Sequence, residues 1–231
     1  KRLKAVLFQE IEDRDRAPGA RQLRRLFEKH LGTSPAAIAR ARRLHFARAL
    51  LDDTDLSITR IAFAAGFRSV RQFNHAMLAS FRASPRDLRR RPVARGAAGP
   101  LSIRLSFRPP FDWQALVRFL APRAIPGVEV VTATAYRRTI EQGGVPGAIE
   151  VTPVPGEPCL RLRAWLPDPA GLLPVVERVR RLFDLTADPH QITAHLSQCA
   201  TLSRVTAGQL GLRVPGAFDP FELAVRAILG Q

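Results

Sequence analysis

The stretch Ile58-Thr59-Arg60-Ile61-Ala62-Phe63-Ala64-Ala65-Gly66-Phe67-Arg68-Ser69-Val70-Arg71-Gln72-Phe73-Asn74 decides the fold of the first part of the chain. Residues 58–65 are a short, largely apolar run, the pattern of a small buried helix. Gly66-Phe67 breaks that run as a turn. Ser69 is an N-cap candidate, because its hydroxyl can accept a first-turn amide. From there to about Phe81, Val70, Phe73, Met77 and Phe81 recur at three- and four-residue spacing and share one buried face. Arg71, Gln72 and His75 point away from that face, with Asn74 at its margin. Ser84-Pro85 starts a last short helix that runs into Arg89-Arg90-Arg91.

Upstream the same grammar repeats. Leu23, Leu26, Phe27 and His30/Leu31 fall at i, i+3, i+4 and i+7, and Arg21, Arg24, Arg25 and Glu28 occupy the opposite face. Gly32 stops this helix, and Thr33-Ser34-Pro35 opens the next. Residues 35–53 then read as a single helix of 19 residues, roughly 28 Å at 1.5 Å per residue. The plan is helix–turn–helix, long rigid helix, helix–turn–helix. A spacer of that length suits two recognition helices about one duplex turn apart, on the order of 34 Å. Arg fits guanine O6 and N7 bidentately, and Gln or Asn fits adenine. Arg also grips phosphate, so residue type alone does not separate base from backbone contacts.

The charge agrees with this placement. The net charge is +16, and residues 1–95 hold 22 Lys+Arg against 9 Asp+Glu, whereas residues 96–231 hold 14 against 11. Arg outnumbers Lys 33 to 3, a skew that reads as codon composition, but both halves share it and the asymmetry stands. The basic half is the one expected to bind a polyanion, through release of phosphate counterions. No run of about 18 apolar residues exists, so no membrane helix is expected. Lys1 to Phe8, followed soon by Glu10, Glu12 and Asp13, does not read as a secretory signal. The chain lacks an initiator Met, and an earlier start is expected. Cys159 and Cys199 have no metal-ligand spacing around them and are expected as two buried thiols in a reducing cytosol. His190 and His195, five residues apart, do not share a helical face and are expected as structural or exposed side chains. No cofactor and no metal are expected.

The run Arg91-Pro92-Val93-Ala94-Arg95-Gly96-Ala97-Ala98-Gly99-Pro100 reads as a linker. Beyond it Leu101, Ile103, Leu105 and Phe107 alternate with polar residues, a half-buried strand. Asp112 is an N-cap candidate for a helix over 113–120, a reading that puts Trp113 in a core. A β-branched run over 128–140, a turn at Glu141-Gln142-Gly143-Gly144, and strands over 148–152 and 159–165 follow. Leu172, Val175, Val176, Val179, Leu182 and Phe183 mark an amphipathic helix. The order β-α-β-β-β-α predicts an α+β domain, an antiparallel sheet with helices on one face.

Two resemblances are carried by these residues. The run 58–74, with Phe81-Arg82-Ala83-Ser84-Pro85, resembles the second half of AraC/XylS-type DNA-binding domains in the Ada-like variant, and residues 23–35 resemble their first recognition helix. This likeness covers residues 19–91. It implies promoter binding by Arg21, Arg24 and Arg25 from one helix, and by Arg68, Ser69, Arg71, Gln72, Asn74 and His75 from the other. One departure stands out: Arg16 sits where the family has an apolar residue, and Ala17-Pro18 replaces the turn glycine and its neighbour. Most discrimination is therefore expected from the second head. Residues 101–231 resemble the front of AlkA-type 3-methyladenine DNA glycosylases at Leu105 to Trp113, Phe119 to Ile125, Arg181 to Leu185, Gly211 to Gly216, Phe218 to Glu222 and Ala224 to Gln231. That family flips alkylated bases into an aromatic pocket. Its catalytic Asp lies downstream of the helix in which Gln231 falls, so no residue here is assigned a catalytic role; Asp112, Asp184 and Asp219 do not match the motif.

The expected organisation is an all-α double helix-turn-helix domain over 1–91, a linker over 92–100, an α+β domain over 101–185, and the first helices of an all-α glycosylase domain over 186–231. The expected function is a sequence-specific transcription regulator linked to alkylation damage. Two alternatives stay open: a fragment of a bifunctional regulator–glycosylase, and the product of a disrupted gene. Double-stranded DNA is the expected partner, RNA polymerase a second candidate, and a nucleoid-associated cytoplasmic site the expected location.

Overall fold

The computed structural model describes residues 19–89 and 100–230. The sequence expectations at Arg16, Ala17-Pro18 and the linker 92–99 lie outside these residues. Helix α1 (Ala20–Leu31) ends where Gly32 turns left-handed at φ 65°. Helix α2 (Pro35–Asp53) begins at Ser34, whose hydroxyl accepts the Ala37 amide, and runs for the expected 19 residues. Its buried side chains are Leu44, Ala47, Leu50 and Leu51, all in its second half. Short helix α3 (Ile58–Ala64), helix α4 (Val70–Phe81) and a single turn α5 (Pro85–Leu88) complete the first unit.

The second unit carries a five-stranded antiparallel sheet. Its strands are β1 (Leu101–Ser106), β2 (Glu129–Val131), β3 (Tyr136–Gln142), β4 (Val145–Pro153) and β5 (Cys159–Trp165), in spatial order β1-β5-β4-β3-β2. The β-branched run over 128–140 is two strands rather than one. A tight turn splits it: Thr132 donates its amide to the Ala135 carbonyl at 2.8 Å, and its hydroxyl accepts the Ala135 amide at 3.0 Å. The next hairpin closes on two residues only, Gly143 and Gly144, both at positive φ, the backbone of a tight turn that matches strand twist.

Ile103, Leu105, Tyr136, Ile149, Val151, Leu160, Leu162 and Ala164 are buried on one side of this sheet. They meet helix α6 (Trp113–Leu120), capped by Asp112 through the Ala115 amide at 2.8 Å, and helix α7 (Leu172–Leu182). Trp113 is core: it stacks on Phe183 with ring centroids 5.6 Å apart and donates Nε1–H to the Ala133 carbonyl at 2.9 Å. Three helices follow: α8 (Pro189–Leu196), α9 (Ala200–Thr206) and α10 (Pro220–Leu229). Before α10 the chain returns to the sheet unit. Buried Arg213 donates to the carbonyls of Arg108, Pro110 and Ala187, and Phe218 is buried with the Arg138 and Arg178 guanidiniums 4.6 and 5.5 Å from its ring centre.

The two units touch. Asp53, at the end of α2, accepts the amide of edge-strand residue Arg104 at 3.4 Å, and Arg42 pairs with Glu177 of α7. Helix α3 packs on the turn at Pro169–Gly171. One thiol departs from expectation. Cys159 is buried, but Cys199 is exposed, because it starts helix α9 at the surface.

Candidate nucleic-acid interface

The second recognition helix is built from its own first turn outward. Ser69 Oγ accepts the Gln72 amide at 3.1 Å, and Gln72 Oε1 reaches back to accept the Arg68 amide at 3.3 Å. Both side chains thus satisfy amides that a helix start leaves without partners. The inner face is seated by Phe73 and Met77, both fully buried. Phe67 packs on Phe73 with ring centroids 5.2 Å apart. Gly66 turns at φ 77°, a backbone that disfavours side chains, and a Cβ there would also sit 3.4 Å from the Arg43 side chain.

Arginines of α2 hold this head in place. Arg43 donates to the Gly66 carbonyl at 3.1 Å and lies over the Phe67 ring at 5.7 Å. Arg48 donates to the Leu88 carbonyl at 2.6 Å and pairs with Asp52 at 3.2 Å. From beyond α5, Arg89 donates to the Leu56 carbonyl, and burial depresses its pKa. These three guanidiniums are engaged with backbone carbonyls inside the fold, where they fasten the second head to its neighbours.

All the residues expected from the second head, Arg68, Ser69, Arg71, Gln72, Asn74 and His75, are exposed on or beside α4. Those of the first head, Arg21, Arg24 and Arg25, are exposed on α1, and Arg24 Nε donates to Glu28 Oε1 at 2.8 Å. The structure therefore forms two separate exposed helix faces, one carrying Arg21, Arg24 and Arg25 and the other Arg71 with Arg68 just ahead of the helix. It also adds residues that the sequence reading did not single out: Arg60, Arg82 and Arg86 are exposed around the second head. Of these, only Arg82 has a local signal, its place directly after Phe81 at the end of the α4 apolar stripe. Chemically, Arg71 and its neighbours can donate to phosphate or to guanine. Gln72, with its oxygen engaged at the Arg68 amide, presents its NH2 group. Bidentate reading of adenine requires that oxygen too, so it would first release the amide.

The sheet unit offers a different kind of polar cluster. Glu129 accepts from Tyr136 Oη at 2.6 Å, from Arg138 at 2.9 Å and from Arg226 at 2.7 Å, and Arg138 and Arg226 both engage Glu222 of α10. Burial pushes the Glu129 carboxyl up, but these hydrogen bonds and the Ile125 amide prevail and hold it below the ordinary carboxylate range. A cleft of about 660 Å3 opens beside this cluster, lined by Arg138, Arg178, Phe218, Asp219 and Glu222. Asp112 and Asp219 serve as helix caps. His190 and His195 are exposed, and among the described residues no group of His, Cys, Asp and Glu is arranged to hold a metal. None of the described helices is long and apolar enough to cross a membrane.

Comparison with known proteins matches both units. Residues 102–219 match the family model described as AlkA N-terminal domain, and residues 18–91 match one described as helix-turn-helix domain. The chain is 40% identical over 216 residues to a Mycobacterium tuberculosis protein named "Probable bifunctional transcriptional activator/DNA repair enzyme AlkA", covering 91% of this chain and 43% of that protein. It is 37% identical over 131 residues to the Escherichia coli "DNA-3-methyladenine glycosylase 2", covering 55% of this chain and 43% of that protein. It is 45% identical over 71 residues to the "HTH-type transcriptional regulator GlxA" of Rhizobium meliloti, covering 31% of this chain and 22% of that protein. The chain spans under half the length of each of these relatives.

Proposed function

Because the chain belongs to the AlkA N-terminal domain family, with an AraC-type helix-turn-helix region ahead of that domain, we propose that it is a sequence-specific reader of duplex DNA serving the response to alkylation damage. The observation that carries this reading is the exposed outer surface of α4, with Arg71, Gln72, Asn74 and His75 on a helix whose inner face is seated by Phe73 and Met77, and with exposed Arg68 just before it and Arg82 just after it. Arg71 and Arg68 supply the donors for guanine and phosphate, and Ser69 and Gln72 fix the helix start. Arg21, Arg24 and Arg25 on α1 add a second set of contacts. A regulator of this type acts at promoters, with RNA polymerase as the machinery it would engage, and its work lies with the nucleoid in the cytoplasm. Residues 1–91 form the reading domain, 92–100 a linker, 101–185 the α+β domain with its helices on one face of the sheet, and 186–231 the first helices of an all-α glycosylase domain.

The bifunctional name of the relative matched over 91% of this chain favours a second reading, in which the chain is part of a regulator joined to an alkyl-base glycosylase. Its catalytic Asp would then lie in residues other than these 231. One experiment tests both. Duplexes are selected from a random pool with the pure chain, then measured by fluorescence anisotropy against scrambled controls, and alkylated DNA is assayed for released 3-methyladenine. The expected result is salt-sensitive, sequence-selective binding without base release. Equal affinity for selected and scrambled duplexes would overturn the first reading; base release would show that catalysis resides in this chain.

A further inference from the structure

The side of the sheet turned away from its helices carries a cluster of arginines that the fold itself does not explain. Arg104 of β1 and Arg161 of β5 are direct cross-strand partners, and Arg163 follows two residues along β5 on the same side. Opposed residues on one sheet face bring their Cβ atoms within about 5 Å, where like charges destabilise the pair. Acidic neighbours relieve part of this. Glu157 pairs with Arg104, and Glu150, buried beneath the row, is shared by Arg163 at 3.1 Å and Arg137 at 2.7 Å. Glu150 thereby aims two guanidiniums outward while they stay 44% and 56% exposed. Arg161 is exposed and has no acidic partner among the described residues. Arg163 also lies 5.1 Å from the centre of the exposed Trp165 ring.

We propose that this open sheet face, centred on Arg104, Arg161 and Arg163, grips the sugar–phosphate backbone of duplex DNA as a second contact surface apart from the recognition helices. The argument is charge complementarity: a row of guanidiniums held side by side at a cost, with one left unpaired, is stabilised by a row of phosphates. Phosphate contacts carry no sequence information, so the surface adds affinity and salt dependence but not preference. The choice of DNA as the polyanion rests on the reading proposed above.

The test uses the full chain and a 40-base-pair duplex, with binding measured between 50 and 200 mM salt. Each phosphate contact contributes roughly 0.9 to the salt slope, so the double substitution Arg104→Gln/Arg161→Gln should lose roughly 12-fold less affinity across that range than the parent. Its preference for the selected sequence should not change. An unchanged slope overturns the proposal. In parallel, arginine modification by phenylglyoxal on the unaltered chain, read by mass spectrometry, should show Arg104 and Arg161 protected by DNA; equal labelling with and without DNA overturns it independently of any variant's folding. Failure of the recognition-helix reading is seen separately, as an unchanged sequence preference in Arg71→Ala/Gln72→Ala.

Discussion

Helices α1 and α4 have 12 residues each, end in a left-handed residue each, and turn arginines to solvent, yet they stand on different foundations. Helix α4 has a Ser69 cap, two fully buried side chains, a neighbouring helix at its back and the Arg43 strut. Helix α1 starts from Gly19 without a side-chain cap, and among the described residues its one buried side chain is Leu26. A recognition helix reads bases only as well as it is held, since a bidentate contact demands fixed geometry. Under the proposed reading, the head seated by Phe73 and Met77 is the one assigned to discrimination, and the other to general affinity.

The sharpest way to break this contrast is to hollow out each seat. Phe73→Ala should cost about 3–5 kcal/mol, and Leu26→Ala about 2 kcal/mol at the low end of its class, because α1 can settle into the space. Equal losses in urea unfolding would remove the asymmetry. The reading surfaces come next. Arg71→Ala should reduce discrimination between selected and scrambled duplexes by about 1–3 kcal/mol, whereas Arg21→Ala with Arg24→Ala should weaken binding to both alike. A larger loss of discrimination from the α1 pair would reverse the assignment. The smallest effect concerns the left-handed ends. Gly32→Ala at φ 65° should destabilise by about 1 kcal/mol, and Arg82→Gly at φ 56° should stabilise by about 0.5 kcal/mol, both read from melting curves.

The second head was legible in the sequence because its signals are local: apolar spacing along α4, a serine before it and a glycine in the turn. The three helix starts at Ser34, Ser69 and Ser84 were readable for the same reason. What escaped involves partners distant in sequence. Arg43 meets the Gly66 carbonyl 23 residues on, and nothing along α2 distinguishes it from a solvated arginine. The run 128–140 kept its β-branched composition through a turn whose only mark is Thr132. The resemblance implies promoter binding by Gln72, while the oxygen of that side chain is turned to the Arg68 amide, a choice between local and intermolecular partners that composition cannot express. The cross-strand meeting of Arg104 and Arg161 needs the β1–β5 register, which follows from a pairing of the first strand with the last.

Arg213 gives the molecule a schedule as well as a shape. Its guanidinium gathers the carbonyls of Arg108 and Pro110, residues 105 and 103 positions earlier. A ribosome adds roughly 5–20 residues per second, so the exit of β1 waits on the order of 5 to 20 seconds for the side chain that fastens it. For roughly the first half of that interval β1 has also yet to meet β5, its neighbour in the sheet, which is complete only at Trp165. The recognition unit, whose contacts are mostly short in sequence, can complete itself meanwhile, and its α2 then offers the nascent strand an edge to rest against.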